Sequence, residues 1–276
     1  MAVAVVAASP LAAPPSPRHS APMESLAQFR ADRLAALTAP DGWLNLIDRI
    51  ETGAGTWTVG RAEGNDLRLS AGPAHLGRLT VTPDNKAVLT DLAGQDHPFQ
   101  PRPEAPAGLE VADLLLELHV VEGRPALRVR QTDHPARLAF PGLHHFPDNP
   151  DWVIRAVWEG LEQPQALGIA MKGGAADTVT ISHRARFAHE GQQVVLTPTH
   201  WKGGKPMFVI RDATAGKDTY GAARFLLGED AGDGAITLDF NRATNPPCAF
   251  TDLAICPLPP PGNVLTFRIE AGERWP

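Results

Sequence analysis

One stretch of this chain concentrates the side chains capable of chemistry. Met207 to Leu226 reads MFVIRDATAGKDTYGAARFL, and LDFNRATNPPCAF follows from Leu238 to Phe250. The first segment holds the single tyrosine, Tyr220. Around it stand Arg211, Asp212, Asp218, Arg224, Asp239, Asn241 and Arg242, set among apolar residues in a strand-like pattern. An unpaired buried charge is costly, so polar groups in such a pattern either satisfy one another or line a site. Arg211 and Arg224 offer planar forks suited to carboxylate or phosphate oxygens. Tyr220 and Asn241 could orient a ligand by hydrogen bonds. Asp212 or Asp239 could serve as a base or pair with an arginine.

The alternation of strand side chains sets the expected geometry. Arg211 shares a face with Met207 and Val209, and Asp212 takes the other. Tyr220 aligns with Ala222, Arg224 and Leu226. In the next strand Ile236, Leu238 and Phe240 form one face and Thr237, Asp239 and Asn241 the other. If the three strands are neighbours, they build a wall of two guanidinium groups, a phenol, an amide and a carboxylate. The alternative is structural: Ala213 to Thr219 is a loop of common turn residues, Arg211–Asp239 or Arg224–Asp212 are buried ion pairs, and Tyr220 bonds to backbone.

Two cysteines follow, Cys248 after Asn245-Pro246-Pro247 and Cys256 before Pro257. Cys248 could be a nucleophile, the two could form a disulfide, or both could be inert core thiols, which is the usual state of free cysteine. A metal centre needs about four ligands, and no Cys-x-x-Cys or paired-histidine spacing supplies them. No nucleophile elbow, phosphate-binding loop or dinucleotide fingerprint occurs, so no cofactor is expected.

The elements that must position these residues are short strands. Glu24 to Leu37 places Leu26, Phe29, Leu34 and Leu37 near helical spacing, with Ser25 as N-cap, predicting one amphipathic helix stopped by Pro40-Asp41-Gly42. Strands are predicted at 43–49, 56–60, 66–70, 76–82, 86–91, 109–122 (one or two) and 124–131. Asp133 to Asp151 carries four prolines and reads as a connector anchored by Phe140 and Phe146. Strands resume at 152–160, 165–171, 178–183, 185–189, 193–197, 207–211, 222–227, 235–241 and 264–269, many joined by glycine-rich turns.

The chain has 276 residues, 43% hydrophobic and 20% charged, with 25 glycines and 27 prolines. That composition excludes wholesale disorder and favours strands over helices. The net charge of −6 without a basic run argues against a nucleic-acid partner. No stretch is long enough and apolar enough to span a membrane as a helix. Two cysteines make no disulfide framework, and a reducing cytoplasm is the expected location. The opening MAVAVVAASPLAAPP is apolar without a preceding basic residue, leaving three readings: a disordered tail, a poor signal peptide, or an over-extended start ahead of Met23.

Two resemblances bear on this. Gly60-Arg61 followed by Asn65-Asp66-Leu67-Arg68-Leu69 looks like the opening of a forkhead-associated domain, a β-sandwich that binds phosphothreonine peptides. The Ser-Arg-x-His segment of that family is absent, Gly72-Pro73-Ala74-His75-Leu76-Gly77-Arg78 standing in its place. From about Leu26 onward the chain more broadly resembles a bacterial family known only as domain of unknown function 1684. The carrying segments are Asp41-Gly42-Trp43-Leu44, Gly60 with Asn65-Asp66, Phe140-Pro141-Gly142-Leu143 with Phe146-Pro147, and 211–221. Leu238 to Arg242, 245–250 and 256–261 complete them. The resemblance implies no activity. Family members begin near residue 24.

The expected protein is mainly β: two antiparallel β layers or subdomains, as a sandwich or roll, with one N-terminal amphipathic helix. Residues 1–22 are a tail or over-extended start, 23–131 a helix with a small β subdomain, and 132–276 a β subdomain carrying the site. The expected function is binding of a small anionic ligand by Arg211, Asp212, Tyr220, Arg224, Asp239 and Asn241. The alternatives are a hydrolase or transferase using Asp212, Asp239 or Cys248, and a structural or interaction module.

Overall fold

A computed structural model describes residues 24–103, 105–121, 123–172, 174 and 176–275; the predicted tail or over-extended start lies outside them. Helix α1 (Leu26–Thr38) opens as predicted, with Ser25 Oγ accepting the Gln28 amide at 3.1 Å. Its docking is not mainly apolar, because Leu37 alone is buried. Arg33 and Arg30 instead reach Glu273 and Asp148. The chain then turns at Gly42, where a Cβ would stand 2.3 Å from the Leu37 carbonyl, so only glycine fits this close approach.

Ten strands follow: β1 (Leu46–Glu51), β2 (Gly55–Gly60), β3 (Leu67–Arg68), β4 (Gly77–Val81), β5 (Ala87–Asp91), β6 (Asp96–Pro98), β7 (Gln100–Arg102), β8 (Ala105–Val111), β9 (Leu114–Val121) and β10 (Arg124–Gln131). They form two five-stranded sheets, ordered β1-β10-β9-β8-β7 and β3-β2-β4-β5-β6. Alternation sends Leu114, Leu116, Leu127 and Val129 inward to meet Val59, Leu79 and Leu89, giving a sandwich core. The stretch predicted as one strand or two is two, β8 and β9. Trp43–Asn45 is a 3-10 turn rather than the start of a strand, and strand β1 begins at Leu46.

The connector contains the one-turn helix α2 (Pro135–Leu138). Phe140 meets Phe250 edge-on, and Arg274 lies over Phe146, as the anchoring role required. Next come β11 (Val153–Ala170), β12 (Ala176–His189), β13 (Gln192–Leu196), β14 (His200–Lys202), β15 (Lys205–Ile210), β16 (Arg224–Asp230) and β17 (Ala235–Asp239). They make one seven-stranded sheet in the order β13-β12-β11-β17-β16-β15-β14. The four strands predicted between 152 and 189 are two long ones, with a register irregularity between Gly160 and Gln165. The strand predicted at 264–269 does not form. That segment makes one bridge, Arg211 to Val264, and then crosses the sheet with Leu265 and Ile269 buried in its core.

The architecture is mainly β and antiparallel with one N-terminal helix, as expected. Among the described residues no helix is long and apolar enough to cross a membrane.

Candidate functional site

The pleat of β15–β17 decides where the predicted site residues go. Phe208, Ile210, Leu226, Leu238 and Phe240 face the core. Arg224, two residues before Leu226, therefore faces the core as well, and Asp212 continues the phase of Phe208 and Ile210. Both are 95% or more buried. Arg224 donates to Asp212 Oδ2 at 2.6 Å and to the carbonyls of Ile269 and Ala271. Asp212 Oδ1 accepts from the amides of Thr214 and Ile269 and from the Thr214 hydroxyl at 2.6 Å. Burial pulls the Arg224 pKa below the ordinary guanidinium value, and Asp212 opposes that shift. This network engages both terminal nitrogens of Arg224, leaves its Nε buried without a partner, and pins the returning C-terminal segment to the sheet.

Asp239 points to the opposite face. Its Oδ1 accepts from the Asn241 amide and side chain, and its Oδ2 from Arg242 Nε at 3.0 Å. Asn241 holds both the amide and carbonyl of Asn149, tying the connector to the end of β17. Residues 240–242 are a 3-10 turn, so the predicted strand alternation ends at Asp239. Arg211 is exposed, and its backbone, not its side chain, holds Asn263 and Leu265. The six residues therefore do not share a hollow. Five of them divide between a core network, a connector clamp and solvent, because Arg224 and Asp239 lie on opposite faces of adjacent strands.

Tyr220 belongs to a fourth group. Its hydroxyl donates to the Cys248 carbonyl at 2.7 Å, and Lys172 Nζ reaches the same hydroxyl at 3.4 Å. Both cysteines are free and buried, and the Cys248 amide donates to Cys256 Sγ at 3.3 Å. A hydrogen bond from Cys256 and the nearby Tyr220 and Lys172 draw the Cys248 thiol down to about 7, against burial, while the same contact and burial push Cys256 up. Trp43 and Phe225 pack against this pair. Among the described residues no group of three potential ligands gathers to hold a metal.

Trp43 and Phe225 also line a groove of about 1040 Å³ between α1 and the outer face of β14–β17. Met207, Phe225 and Leu227 lie along the sheet side of this groove, while Phe29 and Arg33 face it from α1. Asp239 and Arg242 stand in its wall, so the groove takes in one of the six predicted residues. Arg242 also lies 5.0 Å from the Phe29 ring centre. Lys205 pairs with Glu229 at 2.7 Å, whereas Lys202, opposite it in the hairpin, is exposed and meets no carboxylate among the described residues. Below the groove Glu273, 1% exposed, accepts from Arg33 Nε and the Asn245 amide.

Glu273, Arg33 and Lys172 carried no motif in the sequence, since each acquires its partner only through contacts distant in the chain. Trp43 was visible as a strand residue and within the Asp41-Gly42-Trp43-Leu44 segment of the family resemblance, not as a neighbour of the cysteines.

A model of the family described as "Protein of unknown function (DUF1684)" matches residues 138–274. The chain belongs to this family. The match covers β11–β17, the thiol pair and the Asp212–Arg224 network, while the N-terminal sandwich lies outside it. The solution NMR structure of an uncharacterized protein from Haloarcula marismortui is 31% identical. The alignment covers 51% of this chain and 80% of that one, with a TM-score of 0.42. No curated protein matches this chain.

Proposed function

We propose that the protein binds a small amphipathic anion in the groove between α1 and β14–β17. The observation that carries this reading is the groove itself. Its volume lies at the upper end of the range for small-molecule sites, roughly 300–1,000 Å³. Its apolar residues suit a hydrocarbon body, and the ammonium of Lys202, which meets no carboxylate among the described residues, suits a carboxylate or phosphate group. The anion is thus assigned to Lys202 rather than to Arg211 and Arg224, because Arg224 is buried and already spends both terminal nitrogens on Asp212 and two carbonyls.

Melting with decanoate, acetate and decanol tests this. Decanoate at about 1 mM should raise Tm by roughly 2–4 °C, and acetate and decanol should act far more weakly. Lys202→Glu should reduce the shift and Leu227→Glu should remove it. Equal shifts in the wild type and Leu227→Glu, or none in either, would reject the groove as the site.

One observation favours a second reading, an enzyme with Cys248 as nucleophile: the lowered pKa of its thiol beside Lys172 and Tyr220. Its 4% exposure weighs against it. Iodoacetamide labelling of Cys248 in the folded protein at neutral pH would support it, and labelling only after denaturation would remove it. Asp212 and Asp239 make poorer bases, because both carboxylates already accept several hydrogen bonds.

A further inference from the structure

The outer face of the sandwich sheet carries a group of cations that the groove does not use. Arg49 on β1 stands directly opposite Arg128 on β10, and His119 on β9 stands opposite Ala126, two residues along the same face. The alternation that sends Leu127 and Val129 inward sends these three outward. That face is nevertheless covered: Arg128 is 5% exposed and the Arg49 side chain 12%. Nε of Arg49, Nε of Arg128 and Nδ1 of His119 are all buried without a hydrogen-bond partner.

The carboxylates of this face are engaged elsewhere. Glu117 serves Arg102 at 2.7 Å and also contacts Arg130, and Asp41 serves Arg102. Glu51 makes a single 3.4 Å contact with Arg49. Arg128 has the Trp43 ring 5.0 Å from its guanidinium carbon. A ring face attracts the cation but accepts none of the in-plane N–H bonds. Glu117 stands across the strand pair from Arg128 but gives its oxygens to Arg102 and Arg130, so two guanidinium groups share this cover with no carboxylate bonded to Arg128, an arrangement that desolvation and repulsion both oppose. Burial and Arg49 accordingly lower the Arg128 pKa to about 10, and burial with both arginines lowers that of His119 to about 4.

We propose that Arg49, Arg128 and His119 form a binding site for a phosphate-class oxyanion, either free phosphate or the terminal group of a phosphate monoester. Two planar forks from neighbouring strands match the several acceptor oxygens of a tetrahedral ion. A neutral imidazole keeps one N–H to add to them. The site is independent of the groove ligand, since Trp43 alone borders both.

The test is the melting temperature in phosphate against chloride at matched ionic strength, with phosphorus NMR line broadening as a direct readout. Inorganic phosphate at about 10 mM should raise Tm by roughly 3–5 °C, the size expected for millimolar affinity. Arg128→Met should abolish the shift, while Arg78→Met, at an exposed position on the other sheet, should keep it. His119→Gln should weaken it and carries the test if Arg128→Met does not fold. Phenyl phosphate binding more tightly than inorganic phosphate would identify a monoester, and the reverse the free ion. No wild-type response to either, or a full response in the Arg128→Met or His119→Gln protein, would overturn the site.

Discussion

Arg224 and Arg128 are nearly equally buried, at 1% and 5% exposure, yet their surroundings differ in kind. Arg224 has a carboxylate at 2.6 Å and two carbonyls. Arg128 has an indole ring and a second arginine across the strand pair. Nε is buried without a partner in both, so neither burial nor Nε marks a functional cation; the state of the terminal nitrogens does. An arginine whose terminal nitrogens are bonded is a tie between chain segments, here between β16 and the returning 264–271 segment. An unsatisfied one is open to a ligand.

Substituting the two in parallel breaks or upholds that contrast. Arg224→Met leaves Asp212 as a buried carboxylate without its counter-charge, and urea unfolding should show a loss of about 3–5 kcal/mol. Arg128→Met removes a charge that nothing compensates, and its stability in chloride should change by no more than about 1 kcal/mol, in either direction. Equal large losses would mean that Arg128 is a structural tie as well, and the distinction would fail.

Glu273 sharpens the comparison from the acidic side. It is as buried as Arg224 and fully used by Arg33 and Asn245. Glu273→Gln should cost about 2–3 kcal/mol, because it keeps the volume but weakens two charge-assisted bonds. Because Arg33 sits on α1, the loss should also appear as faster amide exchange in that helix. A destabilised protein with unchanged exchange there would show that α1 is held by other contacts.

These ties explain what was legible in the sequence and what was not. Strand identity was readable wherever alternation and turn residues agreed, as at β4–β5, where Thr82, Asp84 and Asn85 close the hairpin. The alternation of β15 and β16 was also readable within each strand. Their phase relative to β17 was not, because it depends on the register Gly228 opposite Leu238, a pairing absent from any one strand. That register puts Arg224 and Asp239 on opposite faces and dissolves the predicted wall. The structural alternative of an Arg224–Asp212 pair was readable from residue types and is the contact observed. Arg128 and Arg130 alternate with Leu127 and Val129 in a predicted strand, and nothing local announces that the Trp43 ring lies against both.

The thiol pair extends the contrast to a group that titrates. Cys248 falls from 9.0 to about 7, first through the hydrogen bond from Cys256. A folded pKa below the unfolded one gives stability that is present above the unfolded value and lost as pH falls through the folded value. Stability should therefore rise between about pH 7 and pH 9, by roughly 2–3 kcal/mol for the full two-unit shift. Above that window Cys256, raised in the fold, acts in the opposite sense. Cys256→Ala should flatten the rise and move the thiolate absorbance midpoint of Cys248 back towards 9.0. An unmoved midpoint would assign the shift to Lys172 and Tyr220 instead.

The smallest effect belongs to Arg211, the predicted site residue that the fold leaves in solvent. Its amide donates to Asn263 and its carbonyl accepts from Leu265, so the position is held by backbone bonds that any side chain keeps. Arg211→Ala should leave stability within about 0.5 kcal/mol of wild type. It should also leave both the decanoate and the phosphate responses intact, since Arg211 is not among the residues lining the groove and sits just past β15, outside the sheet that holds Arg128. A loss of either response would place the anion nearer to the 211–221 loop than Lys202 and Arg128 allow. It would also show that an exposed, unpaired arginine can matter where a buried, unpaired one was expected to.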